Sequence, residues 1–372
     1  MLTLTEVRLP FGSDEAALEK KIKKLLNISG KFDYEVVRHA IDPRKKPDIF
    51  YVYTVHVTLP EKTEEKLLEK KLPHLSKTKR VVYEALSVSL KSDIKIIIAG
   101  SGPAGMFAGL VLARAGLCPV IIERGQPVDI RKRDVEAFWE EGILNESSNV
   151  LFGEGGAGSF SDGKLETGIK DNNGYIRFIL NTFAEFGAGG QILTDAKPHV
   201  GTDVLINVVK NIRHEIVRLG GRYIFGKAVS DIRISDGRIS SVFLSDGSEM
   251  ECSYLVTALG HSATDTLEML YSRGVSMEQK GFAFGLRVEH PQSMIDEYTY
   301  GMMDKRFPPA SYKLTYNGLR NVYSFCMCPG GYVVNSSAAK GMLTVNGMSY
   351  SDRGSGNANS AIVLAVKTGA FK

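Results

Sequence analysis

The chain has 372 residues, with 46 Lys and Arg, 42 Asp and Glu, 38 Gly and 4 Cys. At roughly 150 residues per domain, this length predicts two to three domains. The composition excludes wholesale disorder, a collagen-like repeat and a disulfide-stapled secreted fold. The net charge of +4 lies wholly in residues 1–90, which hold 17 Lys and Arg against 13 Asp and Glu.

The first quarter of the chain predicts a small α+β domain. Its apolar periodicity gives the order β-α-β-β-α-β, which is typical of the ferredoxin-like fold. The predicted elements are strands at residues 2–8, 32–41, 50–59 and 80–86 and helices at residues 14–26 and 61–72. We therefore predict a ferredoxin-like α+β domain over residues 1–90, although the segment 31–59 allows another pairing.

A basic cluster marks this domain. Its members are Arg44, Lys45, Lys46, Lys77, Lys79 and Arg80. No aromatic ribonucleoprotein signature accompanies these residues, and the charge excess is modest. We interpret the cluster as solvated surface and expect no nucleic-acid partner.

Membrane and secreted settings are not expected. The four cysteines are scattered, and the first ten residues lack the basic and apolar regions of a signal peptide. An uncharged run at residues 96–113 is interrupted by Gly100, Gly102 and Pro103, so it predicts a strand that turns into a helix rather than a membrane span. We predict a cytoplasmic protein.

A glycine turn predicts a dinucleotide site. Gly100, Ser101, Gly102, Pro103, Ala104 and Gly105 fit the G-x-G-x-x-G pattern. A predicted strand at 94–99 precedes the turn, a helix at 103–115 follows it, and a second strand at 119–123 completes a βαβ unit. Free N–H groups at the helix start suit a pyrophosphate. Glu123, at the end of the second strand, is positioned to accept hydrogen bonds from ribose hydroxyls.

A second glycine loop lies in the segment 125–170, which we predict to be mostly irregular. Residues 153–158 also fit G-x-G-x-x-G, but no helix or βαβ partner is predicted there, which argues against a second Rossmann site. We expect this loop to wrap the cofactor instead. The residues assigned to it are Gly155, Gly156, Ala157, Gly158 and Ser159, with Lys164 facing the reactive ring.

The downstream pattern resembles flavoproteins of the glutathione reductase and p-hydroxybenzoate hydroxylase type. Glu123 is followed by Arg124 and Gly125, and a three-stranded meander is predicted over residues 228–252 before a strand at 254–258. The resemblance implies FAD, with Val229 against the adenine and Ala258 and Gly260 near the cofactor. Arg131 is assigned to the pyrophosphate, with a solvated helix start as the alternative.

Seven strings resemble the NAD(FAD)-utilising dehydrogenase family over essentially the whole chain. They occupy residues 149–165, 198–203, 260–263, 287–291, 324–331, 346–349 and 357–360. The resemblance implies a ferredoxin-like domain (1–90), a Rossmann-like FAD-binding domain with a β-meander (91–272) and a partial α+β cap or substrate domain (273–372). Because members of this family continue further, we expect a chain truncated at its C-terminus.

Four residues are candidates for chemistry. Cys326 and Cys328 would lie on the same face of an extended chain and could act as a redox pair, with inert packing as the alternative. His261 follows the strand-end glycine and could donate a proton, with a backbone-bonded loop histidine as the alternative. Lys164 completes the set. No metal site is expected, because Cys118 and Cys252 lie in unrelated strands.

Together these patterns predict an FAD-dependent oxidoreductase that passes a hydride between a nicotinamide or other donor and a small-molecule substrate, with NAD(P)H as a transient co-substrate. Two alternatives stay open. One is an FAD-dependent RNA-modifying enzyme that uses the basic domain, and the other is a non-enzymatic flavin or thiol redox sensor. The sequence does not indicate the substrate or the oligomeric state.

Overall fold

A computed structural model of the chain describes residues 1–79, 81–88, 94–302 and 304–370. The chain divides into two compact units, each assembled from separate segments. One comprises residues 1–83, 164–199 and 293–310, and the other comprises residues 84–163, 200–292 and 311–372. The predicted domain boundary after residue 90 falls outside the described residues, and the predicted three-domain division stays a prediction.

The N-terminal segment forms a four-stranded antiparallel sheet with two helices. Its elements are β1 (Leu2–Pro10), α1 (Glu15–Leu26), β2 (Asp33–Lys45), β3 (Asp48–Thr58), α2 (Glu61–Glu69) and β4 (Leu75–Lys77). The strand order is β2-β3-β1-β4. The element order predicted for a ferredoxin-like domain is therefore confirmed, and the open question about the pairing of residues 31–59 is settled by the β2–β3 hairpin.

Helix α1 shows how the sequence builds this segment. The Asp14 side chain accepts a hydrogen bond from the backbone N–H of Ala17 at 2.8 Å and caps the helix start. Leu18, Ile22 and Leu26 repeat every four residues and are buried against the alternating apolar face of β1 and β3. Burial of this shared face holds the helix on one side of the sheet.

The predicted position of the last strand of this segment is wrong. We predicted a strand at 80–86, but the strand that pairs with β1 is β4, which ends at Lys77. Lys77 pairs with Leu2 in an antiparallel register, so a longer β4 would run past the start of β1. Residues 81–86 form no strand, and Arg80 lies outside the described residues.

The second unit begins with the predicted βαβ motif. Its parts are β5 (Ile96–Ala99), α3 (Pro103–Arg114) and β6 (Val120–Glu123). The second unit continues with α4 (Val128–Glu141), a 3-10 helix (Gly156–Phe160) and α6 (Thr202–Arg218). The intervening residues 164–199 belong to the first unit and contain α5 (Tyr175–Phe183), a π-helical turn (Ala184–Ala188) and a second 3-10 helix (Gly190–Leu193). The prediction that residues 125–170 are mostly irregular missed α4, which ends at Gly142 in a left-handed conformation.

The parallel sheet and the meander follow as predicted. The chain continues through β7 (Arg222–Phe225), β8 (Val229–Ser235), β9 (Arg238–Leu244), β10 (Glu249–Glu251), β11 (Tyr254–Thr257) and α7 (Thr264–Ser272). The order β11-β5-β6-β7 makes a parallel sheet, and β10-β9-β8 makes the antiparallel meander. Ile97, Ile122, Val229 and Val242 share one buried core.

The C-terminal segment is mainly antiparallel sheet. It contains β12 (Phe282–Pro291), α8 (Gln292–Tyr300), β13 (Thr315–Asn317), β14 (Asn321–Cys328), β15 (Tyr332–Asn335), β16 (Val345–Met348) and β17 (Asn357–Val366). The strands form a sheet of order β12-β17-β14-β13 and a separate β15–β16 hairpin. The overall class is therefore mixed α/β with several sheets.

Candidate functional site

The first glycine turn requires glycine at two of its positions. At Gly100, where φ is +102°, an added Cβ would lie 2.3 Å from the Ala258 carbonyl oxygen. At Gly105, an added Cβ would lie 1.9 Å from the Gly100 carbonyl oxygen. These contacts let α3 start directly against the ends of β5 and β11, so the turn forms the tight strand-to-helix junction of a dinucleotide-binding motif.

The start of α3 offers an anion-binding surface. Gly102 is the N-cap residue and, having no side chain, supplies no capping acceptor. The first turn contains no acidic residue, so no side chain of the helix itself competes for its free N–H groups and the positive end of its dipole. A phosphate group at this position would gain both interactions.

A cleft of about 420 Å³ opens at the carboxyl ends of the parallel strands. It lies where ligands bind in open α/β sheets, at the ends of β5, β6 and β11. The residues of the predicted cofactor set that line it are Gly100, Gly102, Pro103, Ala104, Glu123, Arg124, Gly156, Ala157, Gly158, Val229, Ala258 and Gly260. Sequence reasoning missed Phe152 and Thr266, which also line it.

The remaining predicted cofactor residues do not line the cleft. They are Ser101, Gly105, Arg131, Gly155 and Ser159, and all five are buried. Their contacts support the lining residues: the Gly155 N–H, for example, donates to the Ser101 carbonyl at 2.9 Å and joins the two glycine loops.

Glu123 fastens the two glycine loops to each other. Oε2 of its buried carboxylate accepts hydrogen bonds from the backbone N–H of Ser101 at 2.8 Å and from the Ser101 hydroxyl at 2.9 Å. Oε1 accepts from the N–H groups of Gly125 at 2.9 Å and Gly153 at 3.0 Å. The carboxylate predicted to accept ribose hydroxyls therefore already receives four hydrogen bonds from the chain.

Arg131 holds the second glycine loop from behind. Its side chain is fully buried and donates to the carbonyl oxygens of Asn149 at 2.8 Å, Val150 at 2.9 Å and Glu154 at 2.6 Å, with a longer bond to Gly153. Burial lowers the pKa of the guanidinium to about 10, while nearby carboxylates oppose that shift. In this structure Arg131 donates to the loop rather than to the cleft.

The loop itself departs from the predicted irregular form. Gly155 and Gly156 both have positive φ, and a 3-10 helix of five residues starts at Gly156. No βαβ unit surrounds it. The loop presents Gly156, Ala157 and Gly158 to the cleft opposite the start of α3, and an added Cβ at Gly156 would lie 3.0 Å from Gly102 Cα.

Glu154 is a buried acid behind this loop. Its Oε2 accepts from the Val128 N–H at 2.8 Å and from Arg213 at 3.0 Å, whereas its Oε1 has no hydrogen-bond partner among the described residues. Burial raises the pKa of this carboxyl to about 7, against the opposing effects of the Val128 N–H and Arg213.

One wall of the cleft combines a cation with aromatic and apolar surface. The Arg124 guanidinium lies 4.5 Å from the centre of the Phe152 ring and donates to Asp265 at 2.7 Å. Burial alone would raise the pKa of Asp265. The hydrogen bond from Arg124, together with backbone hydrogen bonds, outweighs this effect, so the pKa of Asp265 is lowered. The buried Val229 adds an apolar side chain to the lining of the cleft.

The four candidates for chemistry have different surroundings. His261 lines the cleft and is exposed. Lys164 belongs to the other unit, where it forms a β-bridge with His199. Cys328 is buried and donates its thiol to the Cys326 carbonyl at 3.3 Å.

The expected same-face arrangement of the two cysteines does not hold. The register of β14 shifts between Phe325 and Cys328, and Cys326 has a positive φ of 46°. A bulge of this kind breaks the alternation on which that expectation rested. The Cys328 thiol instead lies 4.0 Å from the guanidinium of Arg287, which also donates to Asn359.

Neither a metal-binding cluster nor a membrane-spanning helix is present in the part of the chain that the structure describes. No group of three or more His, Cys, Asp or Glu side chains is arranged to hold a metal ion. No described helix is both long enough and apolar enough to cross a membrane.

The role of Arg131 predicts a specific loss of stability. Arg131→Met would leave four buried carbonyl oxygens without their donor, so we expect the free energy of unfolding to fall by about 3–5 kcal/mol. Arg133→Met, on an exposed position of the same helix, should change it by less than about 0.5 kcal/mol. Urea unfolding followed by circular dichroism measures both values, and equal effects of the two substitutions would contradict this role.

The raised pKa of Glu154 predicts a pH dependence. The folded protein keeps this proton up to about pH 7, whereas the unfolded chain releases it near its ordinary pKa of 4.5. The unfolded state then binds fewer protons, so this group lowers stability as the pH rises between those values. In Glu154→Gln, the fall in Tm from pH 5 to pH 8 should be smaller than in the unmodified chain. Exposed Glu140→Gln is the control, and matching curves for both variants would refute the prediction.

Comparisons with known proteins place the chain in a family. Residues 281–372 match the family described as "FAD-dependent protein, C-terminal domain-like", and residues 1–58 match a domain of unknown function, DUF8436. Among solved structures, the chain is similar to an L-amino acid deaminase from Proteus vulgaris, with 14% identity, 56% of each chain covered and a TM-score of 0.28. It is also similar to a glycine oxidase from Bacillus cereus, with 11% identity, 74% of this chain and 73% of the oxidase covered, and a TM-score of 0.38.

These structural similarities are too distant to carry an argument about function. The sequence relationship is much closer to a protein of Clostridium beijerinckii named "Uncharacterized protein", which is 44% identical over 382 residues. The match covers 100% of this chain and 70% of the relative. The chain therefore belongs to the same family as this Clostridium beijerinckii protein.

Proposed function

We propose that the chain binds FAD and acts as an FAD-dependent oxidoreductase on a small-molecule substrate. The observation that carries the proposal is the cleft at the carboxyl ends of the parallel sheet, where the start of α3 and the second glycine loop face each other. The match of residues 281–372 to a domain of FAD-dependent proteins supports the choice of cofactor.

The lining residues fit the parts of FAD. The free N–H groups at the start of α3 would bind the pyrophosphate, because an anion there meets unsatisfied donors and the helix dipole. Val229 and Phe152 supply apolar and aromatic surface for the adenine. The loop of Gly156, Ala157 and Gly158 would cover the opposite side of the cofactor.

Glu123 would act on the cofactor mainly through the loops. Its carboxylate accepts four hydrogen bonds from Ser101, Gly125 and Gly153. Ribose hydroxyls would therefore have to share acceptors that are already in use. Its principal contribution is to hold the two loops at the spacing that a dinucleotide requires.

When bound, FAD supplies two-electron chemistry that amino-acid side chains do not provide. The chain contributes binding, orientation and proton handling around it. His261 is exposed at the cleft, so its imidazole can hold or release a proton at Nδ1 or Nε2 for a substrate carbonyl. We propose NAD(P)H as the electron donor. The described residues contain one βαβ dinucleotide motif, at β5–α3–β6, and FAD would occupy it, so NAD(P)H would bind only transiently.

Gly102→Val tests cofactor binding at a position where the backbone accepts a Cβ. Gly102 has φ −64°, which any residue adopts, and an added Cβ finds no atom closer than 3.8 Å. The valine methyl groups would project into the space assigned to the pyrophosphate. We expect the purified chain to bind FAD and the variant to bind it at least about tenfold more weakly, which corresponds to about 1.4 kcal/mol. Quenching of FAD fluorescence measures both affinities.

Gly356→Val is the matched control. Gly356 is exposed, has no positive φ and has open space around its Cα, so the same side chain should not affect FAD binding there. A purified chain that binds no FAD would overturn the proposal, as would equal affinities for the two variants.

Anaerobic mixing tests the electron donor. The FAD-loaded chain is mixed with NADH and, separately, with NADPH, and the visible absorption of the flavin is followed. We expect bleaching by at least one of them, because hydride transfer from the dihydronicotinamide to the flavin removes that absorption. His261→Ala should bleach as the unmodified chain does if the imidazole serves only the substrate. Absence of bleaching with both donors would refute the nicotinamide step.

A further inference from the structure

A second depression lies on the ferredoxin-like segment, on the sheet face opposite its helices. It has a volume of about 350 Å³ and is lined by residues of β1, β2 and β3: Glu6, Arg8, Arg38, Ala40, Ile41, Asp42, Pro43, Arg44, Val52 and Thr54. Residues 1–58 match a domain to which no function is assigned. This depression belongs to the first unit and is independent of the dinucleotide cleft.

Irregular strand pairing shapes this depression. The register shifts between Leu4 and Val7 on β1, and again between Val36 and Arg38 on β2. Such bulges bend a strand and redirect its side chains, and they occur preferentially beside binding and active sites. Across β3, Arg8 and Ala40 both pair with Val52, which puts a cation and an apolar residue on either side of it.

A buried carboxylate fixes two of the three arginines. Asp42 accepts from Arg44 Nε at 2.7 Å and Nη2 at 2.8 Å, and from Arg8 Nη2 at 2.6 Å. Hydrogen bonds from Arg44, with the one from Arg8, hold the pKa of this carboxyl well below its usual range despite its burial. Asp42 therefore stays ionised at neutral pH and keeps both guanidinium groups in place.

Arg38 has no such function in the fold. Among the residues that the structure describes, its guanidinium has no hydrogen bond or ion pair, although it lines the depression beside Thr54. The lining has three arginines against Glu6 and Asp42, so one positive charge remains uncompensated. A guanidinium offers a planar pair of donors that matches the oxygens of a carboxylate or phosphate.

We propose that this depression binds a small organic oxyanion, a phosphate ester or a carboxylate. Arg38 pairs with its charged group, Arg8 and Thr54 assist, and the apolar surface of Ala40, Pro43 and Val52 contacts its carbon skeleton. The volume of about 350 Å³ exceeds what a bare inorganic ion needs and lies at the lower end of the range for small-molecule sites.

Three matched probes test the proposal: phenyl phosphate, benzoate and uncharged benzamide. They share a phenyl ring and differ in the group that Arg38 would bind. Isothermal titration calorimetry at low salt should detect binding of at least one anion and none of benzamide. Tighter binding of phenyl phosphate identifies a phosphate ester as the ligand class, and tighter binding of benzoate identifies a carboxylate.

Two variants locate the binding. Arg38→Met should weaken the favoured anion at least tenfold, whereas Lys20→Met should leave it unchanged. Lys20 is exposed on α1, so the control removes the same charge from the same segment on its helix-covered side. Arg38 is exposed and unpaired, and we expect both variants to keep the Tm of the unmodified chain.

The dinucleotide cleft is also proposed to bind an oxyanion, so binding in the cleft must be distinguished from binding in the depression. Binding should persist in Gly102→Val. Failure of both anions to bind, equal affinity in Arg38→Met and Lys20→Met, or loss of binding in Gly102→Val alone would overturn the proposal. None of these outcomes depends on whether the chain binds FAD.

Discussion

The carboxylate of Glu123 is the interaction on which the cleft depends. Backbone N–H groups up to 30 positions from Glu123 along the chain converge on its two oxygen atoms, so β6, the first glycine turn and the second glycine loop share a single anchor. The backbones are in direct contact there, and an added Cβ at Gly125 would lie 2.6 Å from the nitrogen of Gly153. Because each buried N–H that lost its acceptor would cost about 1–3 kcal/mol, the carboxylate defines the loop geometry before any ligand binds.

The second glycine loop is held by two buried ionisable groups. Arg131 supplies a buried positive charge to four carbonyl oxygens, and Glu154 faces it from a site where one carboxylate oxygen has no described partner. Neither group points at the cleft. Buried ionisable groups of this kind are costly, because their charged forms lose hydration when they are buried. Here they keep a glycine-rich segment in one arrangement, which reduces the ordering cost of binding a ligand.

What could be predicted from the sequence was local. The βαβ motif was found because Gly100, Gly102 and Gly105 sit between two apolar strands, and each step needs only neighbouring residues. Helix α4 was missed because Arg131 occupies a buried position of its apolar face between Val128 and Val135. A charged residue in that position interrupts the helical periodicity, and its partners are carbonyls whose positions are set by tertiary structure.

The structure shows which positive charges of the first 90 residues are paired with acidic groups. The prominent run at Arg44, Lys45 and Lys46 is exposed, as the interpretation as solvated surface expects, but the Arg44 guanidinium is paired with the buried Asp42, and so is that of Arg8. Pairing of this type compensates positive charges that a count along the sequence treats as free. Arg38 stands alone in the sequence and is the cation that remains unpaired in the depression. The position of a charge relative to its buried partners, rather than the number of charges in a run, therefore determines where an anion is attracted.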